Sequence, residues 1–174
     1  MNGQTHLYCG DGKGKTTAAI GLAVRALGSG KRVMLVQFLK GGAGGELQLL
    51  QQQPNITILH GKPNTPFTWE MTDAQKREVT AYQTEQLRQA ISQAEHAQCD
   101  LLILDEIMAA YNLELIDAEM LRKFICNKPP HLELVLTGRD PAAYMLEHAD
   151  YITEMKKIKH PFDRNLEARR GIEW

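Results

Sequence analysis

The stretch Gly10-Asp11-Gly12-Lys13-Gly14-Lys15-Thr16-Thr17 constrains this chain more than any other. Its glycines free the backbone to curl, so that successive N–H groups point inward and form a nest for anionic oxygen. Lys15 adds a point charge, and the Thr16 hydroxyl is placed to ligate a magnesium ion. Such a cradle for a nucleotide triphosphate needs a strand before it and a helix after it, because the helix N-terminus adds its dipole to phosphate binding. Both are legible. Gln4–Cys9 reads as a short strand, and Thr16–Leu27 is helical in composition and ended by Gly28-Ser29-Gly30. The loop departs from the usual G-x-x-x-x-G-K-[ST] spacing. Only three residues separate Gly10 from Gly14, and Cys9 stands where the first glycine belongs. A contracted loop cannot hold the phosphates in the usual way, which points to an unusual mode of nucleotide use.

The rest of the chain supplies a matching scaffold. Arg32–Phe38 is a nearly continuous apolar run, as in a strand covered on both faces, and Leu39–Gly45 is a glycine-rich loop at its end. Ile56–Leu59, Leu101–Leu104, Leu132–Leu136 and Tyr151–Met155 read as further strands. His60–Trp69 carries Gly61, Pro63 and Pro66 and reads as an irregular loop. Thr72 with Gln75 fits a capping box for a long helix, whose apolar stripe is Val79, Tyr82, Leu87, Ile91 and Ala94. Asp117 caps a helix through about Ile125, and Asp140-Pro141 caps another with proline at the first position. Strands alternating with helices predict an α/β fold with a mainly parallel sheet. Ligands of such sheets sit beyond the carboxyl ends of the strands, where the glycine-rich loop, the loop after Phe38, Asp105-Glu106 and Thr137-Gly138-Arg139 converge. No linker or repeat interrupts the 174 residues, so a single domain over 1–174 is expected.

Composition narrows the partners. The formal net charge of −1 suggests neither nucleic acid nor an anionic membrane. The three scattered cysteines and the absence of a signal peptide or long apolar run suggest a cytoplasmic protein with reduced thiols. The six histidines do not cluster as a structural metal site would require.

Leu101-Leu102-Ile103-Leu104-Asp105-Glu106 is a hydrophobic strand ending in two acids, one of which can hold magnesium directly or through water. The plainer alternative is a strand-end acid that caps the next helix. Arg139 is a phosphate candidate by its place after Gly138, whereas Arg25, three turns into its helix, is equally well a solvated arginine. Lys13 is compatible with a solvated lysine. Asp11 is an anomaly, because an acid beside a triphosphate repels it unless it turns away to a ribose or a cation. Phe67-Thr68-Trp69 is either a local hydrophobic clasp or a platform for a flat ligand.

Several stretches together resemble the ATP:corrinoid adenosyltransferases of the CobA/CobO/BtuR type. They are Gly10–Ala19, Val36-Gln37-Phe38-Leu39-Lys40-Gly41, Phe67-Thr68-Trp69, Leu104-Asp105-Glu106, Thr137-Gly138-Arg139 and Lys159-His160-Pro161-Phe162-Asp163, in family order over nearly the whole chain. The shortened loop is itself a mark of that family. The resemblance implies a RecA-like P-loop fold that moves the 5′-deoxyadenosyl group of ATP to the cobalt of a reduced corrinoid and releases triphosphate, with ATP lying in the reverse direction across the loop. It implies that Gly10, Asp11, Gly12, Lys13, Gly14, Lys15, Thr16, Thr17, Arg25 and Arg139 serve ATP. Thr16, Glu106 and Asp105 would serve Mg2+; Phe67 and Trp69 would face the corrinoid. Lys15, Thr16 and Glu106 would act in catalysis. An external flavoprotein reductant and a homodimer are further implications. Two departures stand out: many relatives have Asn at the position of Asp11, and many carry an N-terminal extension over the site, so a more open site is expected here. The competing readings are a P-loop ATPase or small-molecule kinase, which would yield ADP, and a non-catalytic carrier of corrinoid or nucleotide, which would bind without turnover.

Overall fold

Runs of apolar residues with no polar face fold here as strands buried on both sides. In the computed structural model, which describes residues 2–41, 44–63, 65 and 68–172, Val33–Gln37 (β2) and Leu101–Asp105 (β4) are buried at every position. With Thr5–Cys9 (β1), Ile56–His60 (β3), Glu133–Thr137 (β5) and Tyr151–Glu154 (β6) they form a six-stranded sheet in the order β3-β2-β4-β5-β1-β6. Every pairing is parallel, so all carboxyl ends share one edge.

The side-chain period of two divides β2 and β4 between two cores. Val33, Leu35, Leu101 and Ile103 pack with Ala19, Ala23 and Ala26 of Lys15–Gly28 (α1) and with Leu47 and Leu50 of Gly45–Leu50 (α2). The alanines of α1 let it lie close to the sheet. Met34, Val36, Leu102 and Leu104 face the other way, onto Leu87, Ala90 and Ala94 of Asp73–Glu95 (α3), Met108 of Ile107–Asn112 (α4), Leu121 and Phe124 of Ala118–Cys126 (α5), and Met145 of Ala143–Glu147 (α6). Helices thus cover both faces, as a parallel sheet requires.

The capping box at Thr72 and Gln75 is present, and the Asp117 side chain accepts from the Met120 N–H. Three expectations are corrected. First, α6 begins at Ala143 with Ala142 at its N-cap, not behind Asp140-Pro141. Asp140 adopts φ 51°, and its carbonyl accepts from Asn112 Nδ2, so it ends the preceding turn instead. Second, the glycine-rich loop after β2 gives way to helix at Gly45. Third, the buried side of α3 includes Gln83 and Gln86, whereas Tyr82 is exposed. These glutamines are tolerated because they serve distant backbone: Gln83 accepts from Leu39 N–H and donates to Leu115 C=O, and Gln86 donates to His60 C=O. They fasten the exits of β2 and β3. Among the described residues, no helix is long and apolar enough to cross a membrane.

Candidate active site

The loop after β1 takes its shape from glycine. Gly10 and Gly14 sit at φ 100° and 117°, conformations that side chains with a Cβ rarely adopt. A Cβ on either Gly10 or Gly12 would lie 2.6 Å from the Met155 carbonyl oxygen, where the chain leaves β6. Gly14 is the N-cap of α1 and no side chain caps that end, so the first turn of α1 faces a cavity of about 520 Å3 lined by the loop. Lys15 is 9% exposed, and its Nζ donates to the carbonyls of Gly10 (2.7 Å) and Gly12 (2.8 Å). Burial and the nearby Arg139 guanidinium push the Lys15 pKa down. With Lys15 and Arg139 both lining one cavity, an anionic ligand there relieves their mutual repulsion.

Asp105 ties three strands to that loop. Fully buried at the end of β4, its carboxylate accepts from Thr16 Oγ1 of α1 (2.9 Å), Thr137 Oγ1 of β5 (2.7 Å) and Gln37 Nε2 of β2 (3.0 Å). Thr137 Oγ1 in turn accepts from the Glu106 N–H. Glu106 stands at the N-cap of α4 with φ 60° and makes no side-chain cap, so its carboxylate is not spent on the helix. The helix-capping alternative therefore fails for both acids.

Lys40, on the loop after β2, brings its ammonium to 3.8 Å from Asp105 Oδ2 and 3.7 Å from Glu106 Oε1. This cation marks where the acid pair draws positive charge. Among the described residues, no three His, Cys, Asp or Glu side chains gather into a self-sufficient metal cage. The donor set that is present, one hydroxyl and two carboxylates beside a phosphate-shaped loop, fits Mg2+, which is commonly held by one or two carboxylates together with substrate phosphates and water.

The cavity brings together Asp11, Gly12, Lys13, Gly14, Lys15, Thr16, Thr17, Glu106 and Arg139, all anticipated from sequence. Arg139 is delivered by Gly138, whose φ of 149° and close approach to Met108 exclude a larger residue; a Cβ there would fall 2.5 Å from Met108 Cβ. Gly138→Ala is expected to destabilise the fold by about 1–3 kcal/mol, read as a lower urea midpoint at an unchanged slope. The anomaly of Asp11 resolves, because its carboxylate turns away and accepts from the Lys157 N–H at 2.9 Å. That bond, first among several causes, holds its carboxyl below the ordinary aspartate pKa. Lys13 donates to the Ile172 carbonyl.

Other expected residues lie elsewhere. Arg25 belongs to the last turn of α1, ten residues and so about 15 Å along the helix from Lys15, where its charge is felt by the Tyr8 phenol. Trp69 lies on a 3-10 turn, Thr68–Glu70, is 76% exposed and does not line the cavity. Phe67 lies outside the described residues. Conversely, Lys40 and His160 line the cavity although neither stood among the expected site residues. Lys40 follows the carboxyl end of β2, so the strand-end rule that flagged Arg139 also reaches it. His160 has no strand-end signal; the sequence marks it only as part of the Lys159–Asp163 stretch of the family resemblance, which assigns it no role.

Comparisons with known proteins identify the family. The sequence profile of the ATP:corrinoid adenosyltransferase BtuR/CobO/CobP family matches residues 1–174. A corrinoid adenosyltransferase of Escherichia coli K12 is 35% identical over 174 residues, covering 97% of this chain and 84% of the relative. One from Sinorhizobium is 33% identical over 168 residues, covering 95% and 77%. One from Salmonella typhimurium LT2 is 34% identical, covering 97% and 84%. Among solved structures, EssC (ATPases 2 and 3) from Geobacillus thermodenitrificans superposes with a TM-score of 0.53 at 12% identity, covering 97% of this chain and 35% of that one. That likeness speaks for the P-loop fold alone. With a profile match from end to end and relatives alike over most of their own length, the chain belongs to the ATP:corrinoid adenosyltransferase family.

Proposed function

We propose that this enzyme transfers the 5′-deoxyadenosyl group of ATP to the cobalt of a reduced corrinoid, such as cob(I)alamin, and releases inorganic triphosphate. The observation that carries the reading is the contracted loop with Lys15 at its centre, opening on a cavity that also holds Arg139, Thr16 and Glu106. In this reaction cobalt(I) supplies the electron pair for the new Co–C bond, the C5′–O bond breaks, and triphosphate leaves with that bond's electrons. The nucleophile needs no protein base. The chain's task is to bind the departing anion and to place the reacting atoms in line. Lys15, Arg139 and the first-turn amides of α1 neutralise the triphosphate. Thr16, Asp105 and Glu106 would hold Mg2+, which supplies further charge neutralisation when bound.

The same proposal includes a single domain over residues 1–174, an external flavoprotein that delivers the corrinoid electrons, and a homodimer. Trp69, together with Phe67, is assigned to the corrinoid. The exposed, unburied ring of Trp69 supports a platform over a clasp, since a clasp would hide it. Trp69→Ala is expected to lower the rate with complete cobalamin about tenfold while leaving the ATP dissociation constant within about twofold, taking one lost aromatic contact as the scale. Equal loss of both would return the ring to a structural role.

The test of the whole is incubation with ATP, Mg2+ and chemically reduced cobalamin. Absorbance follows the cobalt–carbon product, and the phosphate product is identified by chromatography. Adenosylcobalamin with triphosphate supports the reading. ADP with unchanged corrinoid rejects it in favour of a P-loop ATPase or kinase.

A further inference from the structure

The chain after β6 does not leave the site; it returns across it. Met155 N–H donates to Cys9 C=O (2.8 Å), and Gly12 N–H donates to Met155 C=O (2.6 Å), so the last sheet-like bonds are made to the phosphate loop itself. Two residues further on, where the segment has left the sheet, the Asp11 carboxylate catches the Lys157 N–H. From there the chain carries His160 into the cavity, passes through a 3-10 turn at Pro161–Arg164, and comes back so that Gly171 and Ile172 line the same space, with Ile172 C=O accepting from Lys13. A second cavity of about 480 Å3 adjoins the first through Asp11, Arg139 and His160, and its remaining lining, Lys157, Phe162 and Asp163, belongs entirely to this segment. Part of the wall facing the loop is therefore built from a stretch that has no strand or α-helix to hold it.

We propose that Asp11 is a positioning residue: through the Lys157 amide, its carboxylate sets residues 155–172 as the wall of the nucleotide cavity and so governs affinity for a nucleoside triphosphate. This rests on the reading of the cavity as a nucleotide site. An acid so near a triphosphate is a liability as a charge, and its value lies in the acceptor oxygen. Engagement by the Lys157 N–H turns that oxygen away from the phosphates, and the charges of Lys157 and Arg139 offset what is left. Asparagine retains the acceptor and drops the charge; alanine drops both.

The experiment compares wild type, Asp11→Asn and Asp11→Ala by hydrogen exchange read on peptides covering 155–160, and by calorimetric titration with MgATP. Asp11→Ala is expected to speed exchange in 155–160 and to weaken ATP binding about tenfold, the scale of one charge-assisted hydrogen bond. Asp11→Asn is expected to protect those amides as wild type does and to bind ATP equally or more tightly. The proposal is overturned if Asp11→Ala leaves exchange unchanged, or if Asp11→Asn loses affinity as Asp11→Ala does while the amides stay protected, since the charge would then act on the ligand directly. Failure of wild type to bind ATP would sink the nucleotide reading instead, and the exchange data would still decide whether Asp11 holds the segment.

Discussion

Lys15→Ala is expected to lower single-turnover formation of the cobalt–carbon product by about a hundred- to a thousandfold, the loss seen when one well-placed donor to a developing anion is removed. Three features of this lysine set the magnitude. Its residue is buried, its ammonium is fixed by two carbonyls of the loop it serves, and it shares one cavity with Arg139. Truncation removes the charge and strips Gly10 and Gly12 of their donor, so the curl of the loop loosens as well. Lys15→Arg is not expected to restore the rate, because a planar fork cannot occupy the space of a compact ammonium between two carbonyls. The check is the absorbance change on mixing enzyme, ATP and reduced cobalamin, with calorimetric ATP binding measured alongside. Rates within threefold of wild type would remove Lys15 from the chemistry.

Asp105→Ala is expected to be the most damaging change to the scaffold of the site, costing about 3–5 kcal/mol of stability. The loss strands Thr16 Oγ1, Thr137 Oγ1 and Gln37 Nε2 together, and leaves the Lys40 ammonium with one acid instead of two. Turnover should fall with it, since Thr16 and Glu106 are both oriented through this carboxylate, Glu106 by way of Thr137. Asp105→Asn separates shape from charge. It keeps one acceptor oxygen for the threonines but turns an amide donor toward Gln37, so an intermediate loss is expected. Urea denaturation gives the stability and the cobalt–carbon assay the activity. A variant within 1 kcal/mol of wild type by the linear extrapolation, with normal turnover, would show that the three strand ends are held by something else.

What the sequence makes legible is what depends on neighbours along the chain. The capping box at Thr72 and Gln75 and the Asp117 cap are four-residue patterns, and both are present. All six strands lie within a residue or two of their expected bounds. The glycine-rich loop announces Lys15 and Thr16, and the strand-end rule announces Asp105, Glu106 and Arg139. What stays hidden depends on residues far away in the chain. Asp140-Pro141 has the composition of a helix start, yet Asn112, from another helix, holds the carbonyls of Arg139 and Asp140 and shifts the start to Ala143. Gln83 and Gln86 look like surface residues until Leu39, His60 and Leu115 supply their partners. His160 reaches the cavity only because the chain folds back after β6.

Asp105 ties the first turn of α1, where the glycine-rich loop ends, to the ends of β2 and β5. On the proposed reading, an incoming triphosphate would meet amides and ammonium groups already in position, and little conformational freedom would be surrendered there on association. Under the proposed reaction, the part left to yield as the long anion enters or departs would be the irregular C-terminal segment, so the pace of exchange would belong to that segment and the strength of the grip to the sheet.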